Sequence, residues 1–423
     1  MFHIIPYVIK NYPVFVQFFV INIDIFVVLL YNKYMKNTLE HITFRRNWEL
    51  NEKSINLLGQ CYAYVNAIHD IPIRPDYHQQ LLTLSLNKGA LATTAIEGNT
   101  LTTEDLALIQ KGKDLEPSRK YQQREIENIL QAFNFILDEL VRKKNPTIIS
   151  SKLIRQFNEM IGRDIGEAFG GDPGQFRRRN VTVGVVYRPP SFEFVVNLVE
   201  KLCEWLIKEF QYGEEQNFDD AVIEAIVTHI YIAWIHPFLD GNGRTARLLE
   251  FYLLMRAGVP SIASHILSNY YNDTRTQYYR QLQNATDTGN LSAFIQYALE
   301  GFRDGLEQTI TVIHKEQTEL TWNNYVHDVI ENIQGKNSNS LRRLRQLAYY
   351  IPPDRQYSPD EIRILNPQIA KEYLKLNPIT LQRDLKLLTE QKLLVDEKGK
   401  YRANHALLHN FMPESSITIK RHY

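Results

Sequence analysis

The run WIHPFLDGNGRTARLLEFYLLMRAG at positions 234–258 decides both the fold and the binding chemistry predicted for this chain. A proline follows His236 and disfavours helical geometry there, so an apolar helix is predicted to end at that residue. The turn that follows contains two glycines and an asparagine, which tolerate positive φ and let backbone amides converge. A new helix is predicted to begin near Gly243 or Arg244. A glycine-rich turn leading into a helix N-terminus indicates an anion site.

Two arginines lie in the first turn of that second helix. Arg244 and Arg247 are three residues apart, so both side chains can face the same anion. Cations at this end oppose the helix dipole, which is understandable if a polyanion lies between them. Arginine also binds phosphate oxygens through two hydrogen bonds. The phosphate-loop pattern G-x-x-x-x-G-K-[ST] does not occur in the sequence, so a nucleotide site here must be of another kind.

Helical periodicity extends over most of the chain. Apolar residues recur at three- and four-residue spacing in 124–141, 194–210 and 220–235. Strands do not alternate with helices, which argues against a doubly wound sheet. The segment FRRRNVTVGVVYRPPS at 176–191 is the exception, because it is β-branched, short and closed by two prolines. We therefore predict an all-α fold with one small β-hairpin.

These motifs resemble those of the Fic (filamentation induced by cAMP) family. HPFLDGNGRTAR at 236–247 matches the family pattern H-P-F-x-[DE]-G-N-G-R-x-x-R at every defined position, and 176–191 is similar to the family's flap hairpin. The resemblance covers about residues 115–310. It implies an all-α core with a flap, and an activity that transfers AMP from ATP to a Ser, Thr or Tyr hydroxyl of a protein.

The resemblance also implies a role for each motif residue. His236 would be the general base, and an imidazole beside a phosphate cradle suits that role. Asp240 would hold Mg²⁺, a hard cation that prefers carboxylate and phosphate oxygens. Gly241, Asn242 and Gly243 would cradle the α- and β-phosphates, with Arg244 on the β-phosphate and Arg247 on the γ-phosphate.

The flap would pair with an extended target segment as an added strand. The residues expected to form this flap are Val181, Thr182, Val183, Gly184, Val185 and Val186.

A second motif lies upstream, in TTAIEG at 93–98. A helix is predicted to stop near Gly98, and a new one to start at Thr102, which has Asp105 in capping-box spacing. The stretch fits the family's inhibitory motif [ST]-x-x-x-E-[GN], with Thr93 first, Glu97 as the acid and Gly98 last. The resemblance implies that Glu97 pairs with Arg247 and competes with the γ-phosphate.

Composition sets broad limits. The 423 residues suggest two or three domains, and 48 basic against 48 acidic residues leave no net charge. This balance argues against an affinity of the whole chain for nucleic acid or anionic membrane. Cys61 and Cys203 are far apart in sequence, which indicates neither a disulfide framework nor a cysteine-based zinc site. A reducing, cytoplasmic location is the expectation.

The first 34 residues leave three alternatives open. The stretch 15–31 is strongly apolar and approaches the length of a membrane span, but it contains Gln17, Asn22 and Asp24. Residues 1–34 are therefore interpreted as an upstream extension outside the folded protein, a membrane anchor or a docked segment. A membrane partner is expected only if this segment is an anchor.

The C-terminal part differs from the rest. Between 341 and 410, 13 Lys and Arg exceed 8 Asp and Glu, a balance of +5. The order of predicted elements resembles a winged helix-turn-helix, with 379–394 as the helix that would enter the major groove. DNA is one expected partner, and a protein-interaction or dimerisation module is the alternative. The residues placed nearest DNA are Thr380, Gln382, Arg383 and Lys386, with Lys398 and Lys400 on the wing.

Several alternatives for the activity of the chain remain open. Family relatives transfer UMP or phosphocholine, use the glutamate to remove AMP, or phosphorylate with a loop that departs from GNGR. A DNA-binding regulator is the reading from another class. Self-AMPylation and a homodimer are further expectations.

We predict five regions along the chain. The regions are an extension at 1–34, a helical region with the inhibitory helix at 35–114, the catalytic core at 115–310, a connector at 311–340 and the winged-helix domain at 341–412.

Overall fold

The computed structural model describes residues 40–113, 115–184, 187–210 and 216–409. These residues are mostly helical, with one two-stranded antiparallel sheet, so the predicted all-α class is confirmed. The chain divides into two compact units between Ile310 and Thr311. The finer division into five regions remains a prediction.

The first unit consists mainly of helices, and its connection at 163–191 contains the predicted flap. A π-helical turn, Asp138–Arg142, continues the helix Lys120–Leu137, and short 3₁₀ turns occur at Pro117–Arg119 and Gly166–Ala168. The last helix, Ser292–Glu331, continues past the boundary between the units. The helices are α1 Glu52–Asp70, α2 Pro75–Ala95, α3 Thr103–Gln110, α4 Lys120–Leu137, α5 Ser151–Gly162, α6 Phe192–Glu209, α7 Phe218–Ile235, α8 Asn242–Arg256, α9 Ile266–Asp273, α10 Arg275–Thr288 and α11 Ser292–Glu331.

The centre of this unit is the antiparallel pair α7 and α8, joined by the turn at 236–241. Nearly every residue of both helices is buried, as expected for helices that are surrounded by others. The buried residues of α8 include three charged ones, Arg244, Arg247 and Glu250. A buried charge is costly unless it is paired, so the partners of these side chains determine how neighbouring elements are held.

The predicted helix signals around the inhibitory motif are present. Helix α2 ends at Ala95, and Gly98 follows with φ of 100°. Helix α3 begins with the predicted capping box between Thr102 and Asp105. Glu97 therefore lies in the turn just beyond α2, rather than within its last helical turn.

The predicted hairpin at 176–191 is smaller than expected. Val183 and Tyr187 form an isolated antiparallel bridge through two backbone hydrogen bonds of 2.8 and 3.2 Å, and no strand is assigned among the described residues of this segment. Gly184 has φ of 58°, which suits a tight reversal. Val185 and Val186 lie outside the described residues.

The second unit has its own apolar core, which includes Trp322, Leu347, Ile369 and Leu385. Tyr357 pairs with Tyr401 through an isolated bridge, which adds a third short segment beside the two strands. The elements are α12 Ser338–Tyr350, α13 Pro359–Arg363, α14 Pro367–Tyr373, α15 Pro378–Glu390, β1 Leu394–Glu397, β2 Lys400–Ala403 and α16 Ala406–His409.

The apolar stretch at 15–31 lies outside the described residues. Among the helices that the structure does describe, none has the length and apolar character that crossing a membrane requires.

Candidate active site

A cavity of about 460 Å³ lies beside the turn between α7 and α8. Its volume is within the range typical of small-molecule sites. Four residues of the central and inhibitory motifs line it together: Glu97, His236, Gly243 and Arg247. The fold therefore brings the upstream glutamate, which is 150 residues from Arg247 in sequence, into the same site as the central motif.

His236 caps the C-terminus of α7 in a left-handed conformation, with φ of 49° and ψ of 60°. This conformation is unusual for a residue with a side chain and costs about 1–2 kcal/mol. Burial lowers the pKa of His236 to about 4, and a hydrogen bond to the Ala233 carbonyl opposes that shift. The imidazole is therefore neutral at pH 7 and able to accept a proton.

The glycine-rich turn is held by two asparagine side chains. The Asn242 side-chain oxygen accepts from the Phe238 backbone N–H at 2.8 Å, and its amide donates to the Phe238 carbonyl at 2.9 Å. Asn158 donates to the Asp240 carbonyl at 3.0 Å and accepts from the Gly174 N–H at 2.9 Å. The Asn242 side chain is thus occupied in shaping the turn, so any phosphate contact from this residue would come from its backbone.

Replacing Asn158 with alanine is expected to destabilise the protein by about 2 kcal/mol or more, because buried polar groups lose their partners. Asn158 is fully buried and also bonds the Thr245 hydroxyl at 3.2 Å. The measurement is the shift of the urea unfolding midpoint. Asn134→Ala, at an exposed position of α4, is the control and is expected to change stability by less than about 0.5 kcal/mol. Equal shifts in the two variants would contradict the role given to Asn158.

Arg247 is held by the end of α2. Its Nη2 donates to Glu97 Oε1 at 2.6 Å and to the Thr93 carbonyl at 2.9 Å, while its Nε donates to Thr93 Oγ1 at 2.7 Å. The Arg247 side chain is 1% exposed and that of Glu97 is 36% exposed. Both polar members of the predicted inhibitory motif, Thr93 and Glu97, thus contact the same guanidinium. Gly98 supplies the positive-φ turn after them.

Glu97 is ionised in this setting. Burial raises the pKa of Glu97, but the Arg247 guanidinium opposes it, and the net shift is downward. The carboxylate also lies against Gly243, where an added Cβ would be 2.1 Å from Glu97 Oε1. The absence of a side chain at position 243 is therefore what allows Glu97 to reach the helix terminus.

Arg244 points to a different set of partners from Arg247. It forms an ion pair with Glu125 of α4 and another with Asp240, whose Oδ1 accepts from Arg244 Nη2 at 2.9 Å. Glu125 also accepts from Asn99, just after the inhibitory motif. The sequence suggested that both arginines face one anion; in the structure each has its own carboxylate partners.

Asp240 was predicted to hold Mg²⁺. Its side chain is 31% exposed, and its Oδ2 accepts from the Gly170 N–H at 3.1 Å. Among the described residues no group of three or more His, Cys, Asp or Glu side chains could hold a metal by itself. A single carboxylate beside a phosphate cradle nevertheless fits Mg²⁺, which proteins commonly bind through one or two carboxylates plus substrate phosphates.

The part of the cavity lining that α10 contributes was not predicted from the sequence. Tyr278, Tyr279 and Gln283 of α10 line it, together with Ile96. The Tyr278 hydroxyl hydrogen-bonds the buried His229 at 2.9 Å, which leaves the ring as cavity surface. The spacing of these residues on an ordinary helix carries no signal in the sequence, because only the packing of α10 shows which side faces the cavity.

The described part of the flap borders the same cavity. Val183, Gly184 and Tyr187 line it, and the Tyr187 hydroxyl donates to the Trp234 carbonyl at 2.7 Å. Val181 and Thr182 precede the bridge. The predicted flap segment therefore lies beside His236 as far as it is described.

The residues predicted to face DNA lie in the second unit. Gln382, Arg383 and Lys386 are exposed on α15, and Thr380 is half-buried. Asp384, on the opposite side of this helix, is buried and accepts from Arg343 at 2.7 Å and from the Tyr373 hydroxyl at 2.8 Å. This pairing orients α15 so that its basic side faces outward.

The first unit is a helical fold in which the N-terminus of α8 lies beside a cavity, and part of it is similar to a known family. Residues 148–254 match the model of the Fic/DOC family. This match includes the HPFLDGNGRTAR segment at 236–247, on which the predicted resemblance to the family depends.

Curated relatives are similar to about half of this chain. "Protein adenylyltransferase fic-1" of Caenorhabditis briggsae is 29% identical over 238 residues, which is 54% of this chain and 44% of the relative. "Protein adenylyltransferase Fic" of Drosophila grimshawi is 30% identical over 206 residues, which is 48% of this chain and 39% of the relative. The matches thus span less than half the length of these relatives.

Solved structures show the same fold. A Fic family protein from Desulfovibrio desulfuricans G20 has a TM-score of 0.52 at 17% identity and covers 85% of this chain and 98% of its own. Residues 134–508 of Fic-1 from Caenorhabditis elegans also give a TM-score of 0.52, at 22% identity, with coverage of 62% of this chain and 73% of that chain. At these identities the likeness concerns the fold alone.

Proposed function

We propose that this protein is an adenylyltransferase that moves AMP from ATP to the Ser, Thr or Tyr hydroxyl of a protein, and that Glu97 inhibits it by occupying Arg247. One observation carries the proposal: His236, Gly243 and Arg247 line a single cavity that Glu97, the ion-pair partner of Arg247, also lines. The naming of the relatives as protein adenylyltransferases supports the same reaction.

The triphosphate would lie at the N-terminus of α8, where first-turn amides lack intrahelical acceptors. Arg244 would bind the β-phosphate and Arg247 the γ-phosphate. Both would exchange their present carboxylate partners for phosphate oxygens. Held at both points, the triphosphate exposes its α-phosphorus toward His236. Glu97 and the γ-phosphate cannot occupy the Arg247 guanidinium together, because both are anions that need the same donors.

In the transfer step, His236 takes the proton from the target hydroxyl while the hydroxyl oxygen attacks the α-phosphorus. The new bond is a phosphodiester between target and AMP, and the bond that breaks releases pyrophosphate. Asp240 would hold Mg²⁺, which when bound neutralises part of the charge on the phosphates. The flap next to His236 would align the target segment by backbone pairing.

This function is tested with ATP labelled at either the α- or the γ-phosphate, incubated with Mg²⁺ and the Glu97→Gly protein. Protein-bound label is scored, with the chain itself as the first target. Label from the α position alone is the expected result. Label from the γ position would indicate phosphorylation instead, and loss of label from protein already carrying AMP would indicate the removal reaction. The same assay with UTP or a phosphocholine donor tests the other transferred groups.

The pH dependence of transfer follows from the His236 environment. Because burial depresses the pKa of His236 to about 4, the imidazole remains neutral as pH falls from 8 to 6, and protonation becomes limiting only at lower pH. A bound polyanion raises the His236 pKa and brings it closer to pH 6. The imidazole is still expected to be neutral over this pH range. In the Glu97→Gly protein with saturating ATP, we expect the rate to change less than about threefold between pH 6 and 8.

An acid limb with its midpoint near pH 7 would contradict this account of His236. In the wild-type protein the low pKa of Glu97 keeps the carboxylate charged over the same range. Inhibition should therefore persist from pH 6 to 8, and a steep activation on mild acidification would contradict the ionised state given to Glu97.

A second function, DNA binding by the C-terminal unit, is favoured by the outward side of α15. Arg383 and Lys386 are exposed there, and neither forms an ion pair with any residue that the structure describes. The helix begins with an Asn377 cap and is followed by the β1–β2 hairpin, which contains Lys398 in its turn and Lys400 at the start of β2. This order suits a winged helix whose second helix enters the major groove and whose hairpin contacts the backbone. A protein-binding role for the same unit remains the alternative.

Duplex binding by the full chain is expected to weaken with salt and to depend on these two residues. In fluorescence anisotropy with a labelled 20-base-pair duplex, Arg383→Ala/Lys386→Ala should lower affinity and reduce the salt slope by about 0.9 for each lost phosphate contact. Arg142→Ala/Lys144→Ala, two exposed cations of the first unit, is the matched control. Equal affinity in both double variants, or no binding at low salt, would turn the assignment toward a protein-interaction module.

A further inference from the structure

One buried cation near the site has no carboxylate partner among the residues that the structure describes. Arg177 is 3% exposed, and each acceptor of its guanidinium in the described part of the chain is a backbone carbonyl. Nε donates to His236 at 2.8 Å, Nη1 to Arg179 at 3.2 Å, and Nη2 to Pro190 and, at 3.5 Å, to Ile235. Its own backbone N–H donates to the Pro237 carbonyl at 2.9 Å.

A helix terminus explains why a charge is accepted there. The last carbonyls of α7 have no intrahelical partners and form the negative end of the helix dipole. The planar fork of arginine can satisfy several carbonyls at once, which a lysine ammonium does with less geometric precision. Burial lowers the pKa of Arg177 to about 10, so the side chain remains charged at pH 7.

The carbonyls that Arg177 binds belong to two parts of the site. His236 and Ile235 belong to the end of α7, where His236 adopts its left-handed conformation. Arg179 and Pro190 lie on either side of the flap bridge between Val183 and Tyr187. A single guanidinium thus joins the backbone of the proposed base to both ends of the flap.

We propose that Arg177 is a positioning residue that holds His236 and the flap in one fixed geometry, so that a hydroxyl aligned by the flap meets the imidazole. This inference rests on the proposed function and adds a residue outside the HPFLDGNGRTAR motif to its machinery. Arg177 touches neither reactant; it acts through the backbone on either side. Correct placement of a base relative to the hydroxyl contributes large factors to the reaction rate, because a small misplacement of the base lowers that rate strongly.

The charge of Arg177 gives the inference a second readout. The charged groups that act on His236 are Arg177, which lowers its pKa, and Glu97 and Asp240, which raise it. In a Glu97→Gly background, removing the cation is expected to raise the His236 pKa. A lysine at position 177 keeps the positive charge, so the His236 pKa should stay almost as low as in the parent. The fork of hydrogen bonds made by the guanidinium is lost.

The experiment compares Arg177→Lys and Arg177→Met, each in the Glu97→Gly protein, with Arg178→Met as the matched control at an exposed neighbouring position. Three quantities are measured: the rate of AMP transfer, the dissociation constant for ATP, and the His236 pKa by NMR titration. We expect both Arg177 variants to lose at least tenfold in rate while ATP affinity changes less than threefold. The His236 pKa should rise in the methionine variant and stay near that of the parent in the lysine variant.

A rate unchanged in both Arg177 variants, or a rate loss matched by an equal loss of ATP binding, would overturn the inference. If Arg177→Met does not fold, the lysine variant still tests the hydrogen-bonded geometry through its rate at unchanged ATP affinity. If the Glu97→Gly parent itself transfers no AMP, the proposed function has failed. The NMR titration then decides about Arg177 separately, because an unchanged His236 pKa in the methionine variant would overturn its placement.

Discussion

Replacing Glu97 with glycine is expected to raise AMP transfer more than about tenfold. In the wild-type chain, ATP must displace a carboxylate that lies 2.6 Å from Arg247, and a competing interaction of about 1.4 kcal/mol is enough for a tenfold effect. The Arg247 side chain is 1% exposed, so water screens this ion pair less than it screens pairs on open surfaces. Its interaction free energy is therefore larger than that of such surface pairs. The measurement is protein-bound label from α-labelled ATP at fixed Mg²⁺.

Three further variants test whether inhibition depends on the charge of Glu97, on its size and on its partner Arg247. Glu97→Gln keeps the size but removes the charge, and it should activate partly, since an amide can still accept one hydrogen bond from Arg247. Glu104→Gln, an exposed acid in the first turn of α3, is the matched control and should leave transfer unchanged. In an Arg247→Ala background, Glu97→Gly should lose most of its effect, because the two residues act on one interaction. Full activation by Glu97→Gly without Arg247 would show that Glu97 inhibits in another way.

Much of this site could be predicted from the sequence, because its chemistry is concentrated in two short segments. The twelve residues from His236 to Arg247 form a turn and a helix start, whose geometry follows from local rules for proline and glycine. The pairing of Glu97 with Arg247 spans 150 residues, and no local rule gives it. It was predicted only through resemblance to a family in which these two motifs occur together.

The parts that escaped prediction depend on packing. Arg177, Glu125 and Tyr278 occupy helices and loops with ordinary sequences, and their roles appear only when distant elements meet around α8. Asn242 shows a related limit, since the motif places it in a cradle but its side chain closes the turn instead. A sequence pattern identifies a residue without telling whether its side chain or its backbone performs the function.

Loss of the imidazole is expected to have the largest effect of all. In the Glu97→Gly protein, His236→Ala should lower AMP transfer by about 10²–10⁴-fold, the range typical of removing a general base. ATP affinity should change little, because the phosphates would be held by α8 rather than by His236. The measurements are the single-turnover rate with α-labelled ATP and the dissociation constant for ATP.

The control is His78→Ala, an exposed histidine of α2, in the same Glu97→Gly background. It lies 17 residues before the end of that helix, which corresponds to about 25 Å along the axis from the turn that holds Glu97. Its transfer rate should equal that of the parent. A His236→Ala protein that retains transfer within tenfold of the parent would mean that another group accepts the proton. Since no other imidazole among the described residues lines the cavity, water would then be the acceptor to test, by solvent isotope effect.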